Sequence, residues 1–173
     1  MIPMSAVRWM VTVGLVALAL VLQVTFFPHV AWHGVVPNLC LLVVVAAALV
    51  RGPEQAAVLG FVAGVLLDLA PPADHVAGRW ALALVVVGYV AGRMRQDTKP
   101  TAVAVVVTVA ACSFVGTSIY AISGLLLRDP VVSVSDLLPV IVMAVVWDVL
   151  LTPFVLPPVM RLFTALEPAR VSG

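Results

Sequence analysis

The stretch from Thr101 to Leu127, TAVAVVVTVAACSFVGTSIYAISGLLL, contains no charged side chain. As a helix it would be about 40 Å long, more than the ~30 Å hydrocarbon core of a bilayer. A soluble domain has no place for so long a greasy rod. The whole chain repeats the pattern, with 64% hydrophobic and only 10% charged residues, against roughly 45–50% and about 25% in soluble domains. Disordered chains depart the other way, toward polarity and charge. The valine runs are continuous and lack the alternation of a membrane barrel. In lipid, every peptide group must bond within the protein, which favours helix even for valine. The fold class is therefore an all-α integral membrane protein.

Six apolar segments are readable, roughly 7–27, 36–50, 55–70, 79–92, 101–127 and 137–160. The first, fifth and sixth meet the spanning requirement of about 17–25 residues easily. The second and third are short and separated only by RGPE, Arg51 to Glu54. Gly52 suits a helix end and Pro53 a helix start, so 36–70 reads as a tight helical hairpin. In the fourth, Trp80 and Tyr89 suit membrane interfaces. The first segment is long and precedes no small-residue cleavage site, so it reads as a retained helix and not a signal peptide. The loops are short, and the chain reads as a single transmembrane domain over 1–173.

Orientation follows from the basic residues. With six spans, one side carries Arg8, Arg51, Arg93, Arg95, Lys99, Arg161 and Arg170, and the other only Arg79 and Arg128. Seven against two predicts both termini in the cytoplasm. The net charge of +1 offers nothing to nucleic acid. Cys40 and Cys112 lie in apolar runs and read as buried free thiols.

Few side chains can carry function. Gly60, Gly64 and Asp68 are spaced by four and share a helical face, with Ala57 nearby. GxxxG allows close backbone approach, either within the chain or by a partner's membrane helix. Asp68 stands near the outer end of its span, followed by Pro71 and Pro72, and either bonds loop amides or lines a cavity; an Asp68–Arg79 ion pair across the outer loop would offset its charge. Asp148 falls near the middle of the last span, where a charge costs roughly 2.5–3.5 kcal/mol. It must face the bundle interior. Candidate partners are Ser113, Thr117, Ser118 and Tyr120 in the fifth span and Gln23 and Thr25 in the first. Thr152 lies one turn beyond, and Pro153, Pro157 and Pro158 predict a kink or unwinding of the sixth span over about 153–158.

His29, His33 and His75 all fall in outer loops and do not converge as a metal site would require. No Ser-His-Asp set, phosphate-binding glycine loop, CxxC or dinucleotide fingerprint occurs. No enzyme, metal or cofactor is expected.

Several pieces occur in a fixed order: Pro37-Asn38-Leu39 before an apolar run, a short basic turn, G-x-x-x-G-x-x-x-D from Gly60 to Asp68, then GRWALALVVVGYVAG, and finally WDVLLTPFVLPPVMRL. This succession resembles MreD, the rod shape-determining membrane protein family. The matching positions are Pro37, Gly60, Gly64, Asp68, Gly78, Asp148 and Pro153; the family often has aspartate where Asn38 stands.

The resemblance implies a six-transmembrane-helix bundle, similar to the substrate-binding subunit of energy-coupling-factor transporters, in the bacterial inner membrane. It implies a non-catalytic role in cell-wall elongation. The implied partner is MreC, a protein with one membrane helix. Through it the chain would reach a RodA-type glycosyltransferase and a class B penicillin-binding protein, with room for a homo-oligomer. Two other readings use the same residues. A vitamin-type substrate-binding subunit would need convergent polar side chains, and a proton-coupled carrier would titrate Asp148.

Overall fold

The computed structural model describes residues 4–32, 34–71, 76–95, 100–127 and 137–167. His33, His75, Lys99, Arg128 and Arg170 lie outside them. The described residues form six α helices: α1 Met4–Thr25, α2 Leu39–Arg51, α3 Pro53–Leu69, α4 Arg79–Arg93, α5 Ala102–Leu126 and α6 Leu137–Leu166. A short 3-10 turn over Phe27–Val30 follows α1. The described residues contain no strand, only an isolated bridge between Trp32 and Val35. Among the described residues, three helices are long and apolar enough to cross a membrane: Ala6–Thr25, Ala102–Leu126 and Leu137–Leu166.

The shorter helices pack among these three, and α2 is the centre. Every residue from Leu39 to Leu49 is buried, with α1, α3, α4, α5 and α6 all touching it. Its composition is apolar all round, as a helix without a solvent or lipid face must be. Cys40 and Cys112 are buried free thiols in this core.

The α2–α3 hairpin forms where RGPE predicts it. Gly52 has φ +93°, a conformation L side chains rarely adopt, and its N–H donates to the Ala48 carbonyl at 3.0 Å. Pro53 then occupies the first turn of α3, where its missing N–H costs nothing.

The most extensive helix pairing is α3 against α4, and glycines on both helices cause it. A methyl added at Gly60 would lie 2.1 Å from the Leu84 carbonyl oxygen, and one at Gly64 would lie 2.3 Å from Ala81 Cα. From the other side, Gly88 would reach Ala56 O at 2.4 Å and Gly92 would reach Pro53 Cα at 2.3 Å. Backbone therefore lies on backbone along the whole antiparallel seam.

Of the kink or unwinding expected over about 153–158, no unwinding occurs. Helix α6 is continuous from Leu137 to Leu166 through Pro153, Pro157 and Pro158. All three prolines are on the exposed side of the helix. The Thr152 hydroxyl donates to the Asp148 carbonyl at 2.8 Å.

Candidate functional site: two aspartates at the starts of short helices

A helix of 13 residues is about 20 Å long, too short to cross ~30 Å of hydrocarbon. The Arg51 end of α2 meets Arg8, Thr12 and Glu167 at the start of α1 and just beyond α6. Its other end, at Asn38, therefore stops inside the bundle. The first amides of a helix have no intrahelical acceptor, and at membrane depth no water replaces one.

The side chains of Asp148, Asn38 and Gln23 meet this need, and Ser113 holds Asp148 in place. Asp148 Oδ1 on α6 accepts the Asn38 backbone N–H at 2.8 Å. The Asn38 side chain accepts from Leu41 N at 2.9 Å, as an N-cap does. Gln23 Oε1 on α1 accepts from Cys40 N at 3.4 Å. Ser113 on α5 donates its hydroxyl to Asp148 Oδ2 at 2.7 Å. Asp148 is 1% exposed and Ser113 is fully buried. The carboxyl group thus faces the N-terminal end of α2.

The second acid does the same for α4. Helix α4 begins after Gly78, which has φ +100° and no side chain to cap with. Asp68, at the end of α3, replaces that cap. Its Oδ2 accepts from Gly78 N at 2.9 Å and Ala81 N at 3.1 Å, and its Oδ1 from Trp80 N at 3.1 Å. These amides flank Arg79, so the structure brings Asp68 and Arg79 to one corner. There the Arg79 guanidinium donates to the Tyr120 carbonyl through Nε at 3.2 Å and Nη2 at 2.8 Å. It also stands 3.9 Å from the centre of the Tyr120 ring, which stacks on Trp80 at 4.3 Å.

Of the residues singled out from the sequence, Asp148, Ser113 and Gln23 meet around the α2 start, with Thr152 one turn away. Gly60 and Gly64 face α4, and Ala57 is half-buried beside the Gly88 contact. Thr25 bonds its own helix at Val21 O, and Tyr120 belongs to the Arg79 corner. His29 Nδ1 stands 3.3 Å from Phe26 O. Sequence reasoning missed the Asn38 backbone as the principal partner of Asp148. It also missed Gly88 and Gly92, although GYVAG repeats the four-residue spacing of Gly60 and Gly64.

Comparison with known proteins decides the family. A family profile described as rod shape-determining protein MreD matches residues 4–162. The chain belongs to the MreD family. The matched span takes in both aspartates, their donors and the α3–α4 seam, and reaches from the first residue of α1 to near the end of α6. Membership makes this a rod-shape-determining membrane protein, in keeping with its three spanning-length helices. No curated protein and no solved structure matches the chain.

Proposed function

We propose that this MreD-family chain is a non-enzymatic scaffold of the bacterial elongation machinery. It forms a six-span bundle in the cytoplasmic membrane, with both termini inside the cell and the architecture of energy-coupling-factor substrate-binding subunits. It binds the single membrane helix of an MreC-like protein. Through that partner it acts on a RodA-type glycosyltransferase and a class B penicillin-binding protein, and so on lateral peptidoglycan synthesis.

The match over residues 4–162 carries this reading. The geometry adds that Asp148 and Asp68 already serve as acceptors for backbone amides, an architectural use. An Asp68–Arg79 ion pair alongside those amides completes the second corner. Gly60 and Gly64 are covered by α4, so the partner engages another surface.

A groove of about 610 Å³ between Trp32 and one face of α6 fits that partner. Its α6 wall includes Val142, Met143, Val146 and Trp147. Trp147 Nε1 is buried there with no acceptor among the described residues. A partner helix with a hydroxyl or amide side chain supplies an acceptor, whereas an acyl chain does not.

The test is co-expression with the MreC-like protein of the same cell, with a photo-crosslinking residue at Val146 or, as a control, at Phe61 on the exposed face of α3. Crosslinking from 146 and not from 61 is expected. Co-purification without any crosslink from 146 would remove the groove from the account, and failure to co-purify would remove the partner.

A further inference from the structure

At the opposite end of α2 the described residues gather more positive charge than they neutralise. Arg8 Nη2 and Arg51 Nε both donate to one oxygen, Glu167 Oε1, at 2.6 and 3.0 Å. Two guanidiniums thus share one carboxylate. The Arg51 side chain is only 3% exposed. It is fixed further by an Nη1 bond to Thr12 Oγ1 at 2.9 Å and by the Phe163 ring 4.5 Å from its guanidinium carbon. Arg95 adds to the field, because its Nη1 reaches within 3.6 Å of where a methyl on Gly52 would sit. Glu54, in the first turn of α3, is exposed.

Within this cluster two buried donors, Arg51 Nη2 and Arg8 Nε, have no acceptor among the described residues. Arg8 and Arg51 both line a cavity of about 180 Å³, together with Trp9 and Gln55. A buried guanidinium N–H without an acceptor is costly, and the fork geometry of arginine matches the oxygens of a phosphate.

We propose that this cavity binds the phosphate of an anionic phospholipid from the leaflet at the Arg51 end of the bundle. Two observations favour a lipid over a free anion or an acidic peptide. Trp9, in the cavity wall, is 37% exposed, as an indole at the headgroup level is. About one turn further along, α1 exposes Val13 beyond Trp9 and α3 exposes Val58 beyond Gln55, apolar surface for acyl chains next to the cavity. The site rests on the membrane reading alone and is independent of the partner proposed above. Basic pockets between helices at a membrane surface are a general means of holding anionic headgroups.

Native mass spectrometry of the full chain in neutral detergent, titrated with phosphatidylglycerol or phosphatidylcholine of matched chains, tests the site. The expected result is a five- to tenfold preference, in order of magnitude, for phosphatidylglycerol. Inorganic phosphate should not displace it. Arg51→Gln risks unfolding the core, so the variants are Arg8→Gln, at the partly exposed start of α1, and Gln55→Glu, which puts a carboxylate at the exposed rim. Both should bring the preference close to unity, while Arg93→Gln, on an exposed position of α4, should leave it unchanged. Equal binding of the two lipids by the parent protein would overturn the site. So would an undiminished preference in both Arg8→Gln and Gln55→Glu, or an equal loss in Arg93→Gln. Displacement by phosphate would reassign the cavity to a free anion. Loss of the MreC-like partner in Arg8→Gln with lipid preference intact would reassign it to a protein.

Discussion

The Asp148 carboxylate accepts the backbone N–H of Asn38 at 2.8 Å, joining two residues 110 positions apart. This bond closes the α2 start, and Ser113 holds the other carboxylate oxygen at 2.7 Å. Asp68 stands in the same relation to α4. Each acid occupies the place where a short helix begins without enough acceptors of its own. Both therefore explain how short helices can pack in a membrane bundle without exposing amides to lipid.

At Asp68, replacement by Asn keeps the shape but leaves one acceptor oxygen for three amides. Replacement by Ala leaves none. Each unsatisfied buried donor costs about 1–3 kcal/mol. Thermal unfolding in detergent should therefore rank the parent above Asp68→Asn and Asp68→Asn above Asp68→Ala. Equal melting temperatures for the parent and Asp68→Ala would show that the cap contributes nothing.

The glycine seam makes a sharper steric prediction. Gly60→Ala and Gly92→Ala each place a methyl against backbone, at 2.1 and 2.3 Å, where no side chain can rotate away. Overpacking of this kind costs about 1–3 kcal/mol or more. Gly14→Ala meets nothing within 4 Å and should leave stability unchanged or slightly raised. Melting curves of the three variants, run in parallel, check the ordering.

Glu167→Gln removes the carboxylate that Arg8 and Arg51 share. Breaking a fully buried pair costs about 3–5 kcal/mol. Glu167 is 29% exposed, and solvent screening reduces the loss to about 1–2 kcal/mol. Denaturation in detergent should show that loss, and Glu167→Asp should recover only part of it, because the shorter side chain cannot reach both guanidiniums at once.

Much of the fold was legible in the sequence because length and hydropathy decide it. The uncharged run from 101 to 127 becomes α5, and Gly52-Pro53 turns the α2–α3 hairpin. The face carrying Gly60 and Gly64 was readable from spacing, but its occupant was not, because any neighbouring backbone satisfies the same pattern. The polarity of Asp148 predicted an inward orientation and a hydroxyl partner. Its main donor is a peptide N–H, which no residue letter encodes. That donor becomes available only because α2 is short, and shortness follows from where Pro37 and Asn38 interrupt the chain. The prolines of α6 do not unwind it, for the complementary reason. They break helices in isolation, whereas here they lie on an exposed face while the opposite face packs against α2 and α5.

The most direct test of the claim that Asp148 is an architectural cap compares Asp148→Asn with Asp148→Ala in one measurement series: melting temperature in detergent and rescue of rod shape in cells lacking the native chain. The amide oxygen of Asn can still accept from Asn38 N–H, and its NH2 can donate to the Ser113 hydroxyl with the direction of that bond reversed, so Asp148→Asn should keep most of the stability and restore rod shape. Asp148→Ala should lose about 2–5 kcal/mol and fail to rescue. An Asp148→Asn protein that melts like the parent yet leaves the cells round would contradict the account and give the carboxylate a chemical role of its own.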